Sequence, residues 1–199
     1  MANVTASAVN LPLEGKGLRS ASWWGMLCLI ATEAILFVYL IFSYAYLGAQ
    51  SPGSWPPTGP PSMLLSGPDT IVLLASSFVL VWGVRAFDRR HGNASLRIAL
   101  IITFLMGVAF VAVQGLEWRN KPFSFDASSY SAIYFTMTGI HMAHVAVGLV
   151  ILVALFVWSL MGRLGGRHQH LMLGALYWHF VDAVWIAVFT TIYLIPRLS

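Results

Sequence analysis

"ALYWHFVDAVWIAVF", Ala175 to Phe189, is an apolar run broken by one histidine, His179, and, three residues on, by one aspartate, Asp182. Read alone, the pair fits a metal site, a proton relay or a polar lock between helices. The rest of the chain narrows the choice. Of its 199 residues 58% are hydrophobic and 9% charged, with a mean hydropathy of +0.77. A soluble globular domain carries about 25% charged residues, so the solvent for most of this chain is lipid. The length suits one domain.

A sequence pI of about 9.5 comes from a net charge of only +4, without the basic run that nucleic acid attracts. Cys28 is the single cysteine. One thiol excludes an internal disulfide, a cysteine-ligated iron–sulfur cluster and any copper site that needs two thiolates. In its apolar setting Cys28 is expected to be a small buried hydrophobe.

A helix needs roughly 20 mostly apolar residues to cross the hydrocarbon core. Five runs qualify, at about 20–47, 70–87, 95–118, 129–161 and 171–195. They predict an all-α fold, a polytopic bundle of five transmembrane helices over 20–199, preceded by a polar cytoplasmic segment at 1–19. That segment lacks the short apolar region and cleavage site of a signal peptide, so the first span is read as a retained anchor. The first connection, "GAQSPGSWPPTGPPSMLLSGPD", is rich in Pro and Gly and is expected to be irregular. No internal repeat is apparent.

Charge sets the orientation. With five spans, the N-terminus and the second and fourth connections share one side. That side holds Lys16, Arg19, Arg85, Arg89, Arg90, Arg97, Arg163 and Arg167 of the 11 basic residues, and the other holds Arg119, Lys121 and Arg197. Basic residues favour the cytoplasm, which predicts the N-terminus inside and the C-terminus outside. Trp23, Trp24, Trp55 and Trp118 fall near the predicted interfaces, where indoles anchor well.

Ionisable residues inside the spans are the informative ones. A charge at the bilayer centre costs about 2.5–3.5 kcal/mol even on the lenient insertion scale, so such groups face protein or water and take a partner. At 1.5 Å per residue, Glu33 lies roughly 20 Å from the inner boundary and His141 about 16 Å from the outer one. His144 is about one turn deeper than His141, and Asp182 sits near mid-depth with His179 about one turn closer to the cytoplasm. Glu33, His141, His144 and Asp182 therefore occupy one slab. The pairs His141/His144 and His179/Asp182 have i,i+3 spacing, which puts each pair on one helix face. Glu117 closes the third span beside Trp118 and is expected at the outer headgroup level.

Imidazole and carboxylate together suit zinc, iron or copper. The four-helix di-metal pattern, however, wants Glu-x-x-His on two helices plus two further Glu, and here the pairs are His-x-x-His and His-x-x-Asp. Haem ligation by two histidines has only His141 with His179 as a loose candidate. A transporter usually shows broken helices and a repeat. The commonest meaning of such groups is a hydrogen-bonded lock between helices, worth on average about 0.6 kcal/mol per bond, with room for a proton-handling role over it.

The wording of the motifs carries further. "YWHFVDAVW" (Tyr177–Trp185) and "GIHMAHVAVG" (Gly139–Gly148) closely resemble the signatures of subunit III of the haem–copper terminal oxidases. "TEAILF" (Thr32–Phe37) resembles that family's acidic motif, and "GLEW" (Gly115–Trp118) its later Glu-aromatic motif. "WPP" at Trp55–Pro57 and "DTIVLLASS" at Asp69–Ser77 fall in the same order. The resemblance runs from about Trp23 to Leu194.

It implies a non-catalytic subunit of a proton-pumping respiratory oxidase that reduces O2 to water, a cytochrome c or quinol oxidase, in the five-helix bacterial form. Haem and copper would then reside in partner subunits, with no redox centre, metal or catalytic residue on this chain. The implied partners are the catalytic subunit I, subunit II, an optional small subunit IV and membrane phospholipid, in the bacterial cytoplasmic (inner) membrane. The implied role is to stabilise the catalytic subunit and to support proton uptake, oxygen access and lipid binding. Glu33, Glu117, His141, His144, His179 and Asp182 match the family's polar positions, as structural, proton-linked or lipid-linked residues. From equal depth, Glu33 is expected to pair with His141 or His144.

Many members have seven helices and the first two are missing here, which affects the lipid cleft. Ile140 and Met142 stand where small residues are often seen, and Met172 where the mitochondrial type has a glutamate. Two other readings stay open: an accessory subunit of a nitric oxide reductase, and a self-sufficient metal- or haem-binding membrane protein or small transporter. The electron donor is not legible in the chain.

Overall fold

A computed structural model describes residues 20–198, apart from 52, 54, 58, 91, 92 and 165–167. The polar segment read at 1–19 lies outside the described residues. Five long helices account for most of the rest: α1 (Ala21–Gln50), α2 (Ser66–Arg90), α3 (Asn93–Arg119), α4 (Ser129–Leu160) and α5 (His168–Phe189). A π-helical turn at Thr190–Leu194 and a short α6 (Ile195–Leu198) continue α5. All five are long and apolar enough to cross a membrane, and no β-strand occurs among the described residues.

Local chemistry sets several ends. Ser20 caps α1 by accepting from the Trp23 N–H at 3.4 Å. Ser128 and Ser131 form a reciprocal capping box that starts α4, with Ser131 N–H on Ser128 Oγ at 3.1 Å and Ser128 N–H on Ser131 Oγ at 2.8 Å. Gly162 ends α4 in the left-handed conformation, φ +66°. There the Arg163 N–H reaches the Trp158 carbonyl at 3.0 Å and the Gly162 N–H the Ser159 carbonyl at 3.3 Å. This crossed pair satisfies two carbonyls that the helix itself leaves orphaned.

Helix α5 is central and α1 peripheral. The most apolar window of α5 is 61% buried and that of α1 only 11%. α2 packs on α3 and α5, α4 on α3 and α5, and α1 on α4 and α5. Small residues let the backbones close. A Cβ on Gly83 of α2 would lie 2.2 Å from the Ala99 Cβ of α3. The Trp178 indole fills a slot between Gly107 of α3 and Gly148 of α4, whose added Cβ atoms would stand 2.7 and 2.9 Å from its ring. Close approach through small residues is how helices associate where lipid tails are as apolar as leucine.

The position of α1 corrects one expectation. Cys28 is exposed, because most of α1 faces away from the bundle. In a membrane an apolar neighbourhood does not imply burial inside the protein.

Candidate functional site

The polar side chains line the seams between helices, most of them beside α5. Their main support is α2, which turns Ser66, Asp69, Thr70, Ser76 and Ser77 onto the face that also buries Leu73 and Leu80. These positions recur at steps of three, four and seven, one side of a helix. Three groups result, spread along the bundle.

At the α3–α4 end, Glu117 is buried. Its Oε1 accepts from Lys121 Nζ at 2.7 Å and Tyr193 Oη at 2.6 Å, and its Oε2 from Ser66 Oγ at 2.6 Å. The Lys121 ammonium also lies 4.9 Å from the centre of the Tyr134 ring and 5.7 Å from that of Tyr193. Tyr193 belongs to the π-helical turn, which buries Thr191, Ile192 and Tyr193 in succession. One turn deeper, Gln114 Nε2 donates to Asp69 Oδ2 at 3.3 Å. Glu117 thus turns into the bundle, where Lys121 lies beside it and α2, the π-helical turn and, through Tyr134 Oη at 3.4 Å, α4 supply hydroxyl donors. On the connection nearby, the Ser124 hydroxyl bonds Asp126 at 2.6 Å and, with Asp126's own backbone N–H, holds that carboxyl below its ordinary range.

In the middle, His144 bridges α4 and α1. Its Nδ1–H donates to the Ile140 carbonyl at 2.7 Å, and its Nε2 lies 3.0 Å from Glu33 Oε2. A carbonyl only accepts, so Nδ1 carries a proton. His141 does not reach Glu33. It is fully buried, donates from Nε2 to the Val181 carbonyl at 3.2 Å and packs on Trp185 and Phe110 at centroid distances of 4.8 and 5.8 Å. Two tryptophans of α5 anchor to α2, Trp185 Nε1 on Thr70 Oγ1 at 2.9 Å and Trp178 Nε1 on Ser76 Oγ at 3.0 Å.

At a similar depth, on the seam of α2 and α5, Ser77 joins His179 and Asp182. Its Oγ lies 2.8 Å from His179 Nδ1 and is also in short hydrogen-bond contact with Asp182 Oδ2. Serine, histidine and aspartate here do not make a nucleophilic triad. That arrangement needs the histidine between the other two, whereas here the serine is in the middle.

Glu33 and His144 are therefore brought together, and His179 and Asp182 are joined through Ser77. Sequence reasoning missed Ser77, Ser66, Asp69, Gln114, Lys121, Tyr134 and Tyr193. The available signal was the helical spacing of hydroxyl and carboxyl residues from Ser66 to Ser77. Among the described residues, no group of three or more His, Cys, Asp or Glu is placed to hold a metal ion.

The family profile of cytochrome c oxidase subunit III matches residues 10–196. The chain belongs to that family. A probable cytochrome c oxidase subunit 3 of Mycobacterium tuberculosis (strain H37Rv) is 38% identical over 179 residues, 86% of each chain. That of Mycobacterium leprae is 35% identical over 176 residues, again 86% of each. The human cytochrome c oxidase subunit 3 is 34% identical over 190 residues, covering 92% of this chain and 71% of the relative. With five helices able to span a bilayer, the chain is a multi-pass membrane protein and a subunit of a haem–copper oxidase.

Proposed function

We propose that this chain is the accessory, non-catalytic subunit III of a proton-pumping respiratory oxidase in a bacterial cytoplasmic membrane, reducing O2 to water. Haem and copper reside in its partners, the catalytic subunit I and subunit II. The chain stabilises subunit I and supports proton uptake and oxygen access, with phospholipid on its outer faces. The match of residues 10–196 to the subunit III family carries this reading. The geometry supports it, since the intramembrane polar groups are spread along three seams and bond mainly to one another instead of converging on one centre. Large apolar side chains face outward on α1 (Tyr39, Phe42) and α3 (Ile98, Leu105), as a chain surrounded by lipid and partner subunits requires. The basic side chains at the α2–α3 and α4–α5 connections support the N-terminus inside.

The test is a tagged purification from native membranes in mild detergent, with an optical spectrum and identification of the chains that come along. Large haem-bearing subunits should accompany this chain, and the chain expressed alone should show no haem bands. Isolation of the chain alone with its own haem or stoichiometric metal would overturn the reading, and His141, His144 and His179 would become the ligands to test.

A further inference from the structure

At the α2–α3 end of the bundle, a cavity of about 270 Å³ opens between the first turns of α1 and α5 and the last turns of α2. Trp23, Arg85 and Asp88 line it, and His179 stands in its wall. Beyond His179 the polar path is continuous for two more residues, through Ser77 to Asp182. It stops there. Asp182 Oδ1 is buried and has no hydrogen-bond partner among the described residues. A polar path that begins at a cavity and ends on a half-bonded buried carboxyl has the form of a dead-end conduit. We propose that Ser77, His179 and Asp182 are a one-proton store loaded from this cavity.

The hydrogen bonds permit two arrangements of protons. In the first, Ser77 donates to Asp182 Oδ2, so the serine oxygen accepts from His179 Nδ1–H and Nε2 is bare. A hydronium ion in the cavity gives its proton to Nε2 and leaves as water. The Nδ1–H bond breaks as that proton passes to Ser77 Oγ, and the former serine proton forms the Oδ2–H bond. In the second arrangement Asp182 is a carboxylic acid donating to Ser77, and Ser77 donates to His179 Nδ1. One proton has been taken up, nothing is oxidised or reduced, and the site passes from one negative charge to none. Serine suits the middle position because a hydroxyl both donates and accepts. A neutral acid is also the form that a poorly bonded carboxyl favours away from water.

Among the described residues, no other titratable group competes inside the path. On α1, Glu33 is bonded to His144 of α4, and His141 of α4 donates to the Val181 carbonyl. From α3, Thr103 donates to the Ser76 carbonyl. At the cavity, Asp88 is bonded by His168, which leaves Arg85 as the other charged residue that lines it among the described residues. The store is a property of this chain's own residues. Only the side of the membrane that loads it rests on the topology proposed above.

The experiment is infrared spectroscopy of the purified complex, transferred from H2O to D2O. A protonated-carboxyl band that disappears in Asp182→Asn identifies the store, and its isotope shift times proton exchange. Should Asp182→Asn fail to assemble, Asp182→Glu serves, because it moves the band. Exchange should slow on the order of tenfold in Ser77→Ala, the scale of one lost charge-assisted hydrogen bond, and recover in Ser77→Thr, which restores a hydroxyl. His179→Gln should slow it as well. Wild-type exchange in Ser77→Ala, or no band tied to Asp182 at any pH the complex survives, would overturn the proposal. Neither result touches the subunit assignment, which is read from the co-purifying chains.

Discussion

His144 of α4 and Glu33 of α1 meet at 3.0 Å across the seam that holds the most peripheral helix to the bundle. α1 buries only Phe37, Leu40 and Tyr44 fully, so this bond is a large part of what fixes its rotation and height. Glu33→Ala leaves His144 Nε2 without a partner in a region poor in water. The expected cost is about 1–3 kcal/mol, the scale of an unsatisfied buried polar group. His144→Ala should cost a similar amount, and the double variant little more than either single. Thermal midpoints of the purified complex for the four members of this cycle measure the coupling, and strictly additive losses would refute it.

How much of this was legible depended on what each inference required. The five helices follow from the lengths of the apolar runs, and the matched depth of Glu33 with the His141/His144 pair follows from counting residues. Which histidine takes the carboxylate did not follow. Two positions three residues apart share a face, and only the packing of α1 on α4 separates them. Cys28 was misread because lipid-facing and core-facing positions look alike in a membrane helix. The bonds of Glu117 were not legible because its donors lie elsewhere in the chain: Ser66 is 51 residues away and Tyr193 is 76. Ser77 was invisible for a related reason, since a serine in an apolar run acquires meaning only once α2 is known to lie against α5.

The Glu117–Lys121 pair predicts a non-additive response of a second kind. Lys121→Met leaves a buried carboxylate held only by hydroxyl donors, and Glu117→Gln leaves a buried ammonium facing two tyrosine rings. Each should cost about 3–5 kcal/mol, as when one partner of a buried ion pair is removed. The combined Glu117→Gln/Lys121→Met variant should be more stable than either single, because no uncompensated charge remains. Denaturation midpoints decide the matter. A double variant less stable than both singles would mean that the pair contributes more than its own neutralisation.

Close packing of α2 on α3 gives a prediction with a built-in rescue. Gly83→Ala drives a methyl group into the Ala99 Cβ, at 2.2 Å if nothing moves. Both atoms sit on helix backbones, so the strain cannot be relieved by a rotamer change, and the expected cost is about 1–3 kcal/mol. Adding Ala99→Gly removes the opposing methyl group and should restore most of the loss. Gly115→Ala is the control. A Cβ there meets nothing within 4 Å, so the substitution should be neutral or gain up to about 1 kcal/mol of helix propensity. Equal losses in Gly83→Ala and Gly115→Ala would show that steric contact is not the cause.

Orientation is tested by the two connections that carry accessible charges, Asp126 between α3 and α4 and Arg163 at the end of α4, both exposed. An odd number of helices separates them, so whatever the topology they face opposite sides of the membrane. The proposed topology predicts Arg163 on the cytoplasmic side, since translocating basic residues is disfavoured. In a Cys28→Ser background, which removes the one native thiol, a membrane-impermeant maleimide should label Asp126→Cys on intact spheroplasts. It should label Arg163→Cys only after permeabilisation. The reverse pattern would invert the proposed topology while leaving the family assignment intact. It would also move the mouth of the His179 cavity to the outer side, so that the carboxyl at Asp182 would draw its proton from the opposite aqueous phase.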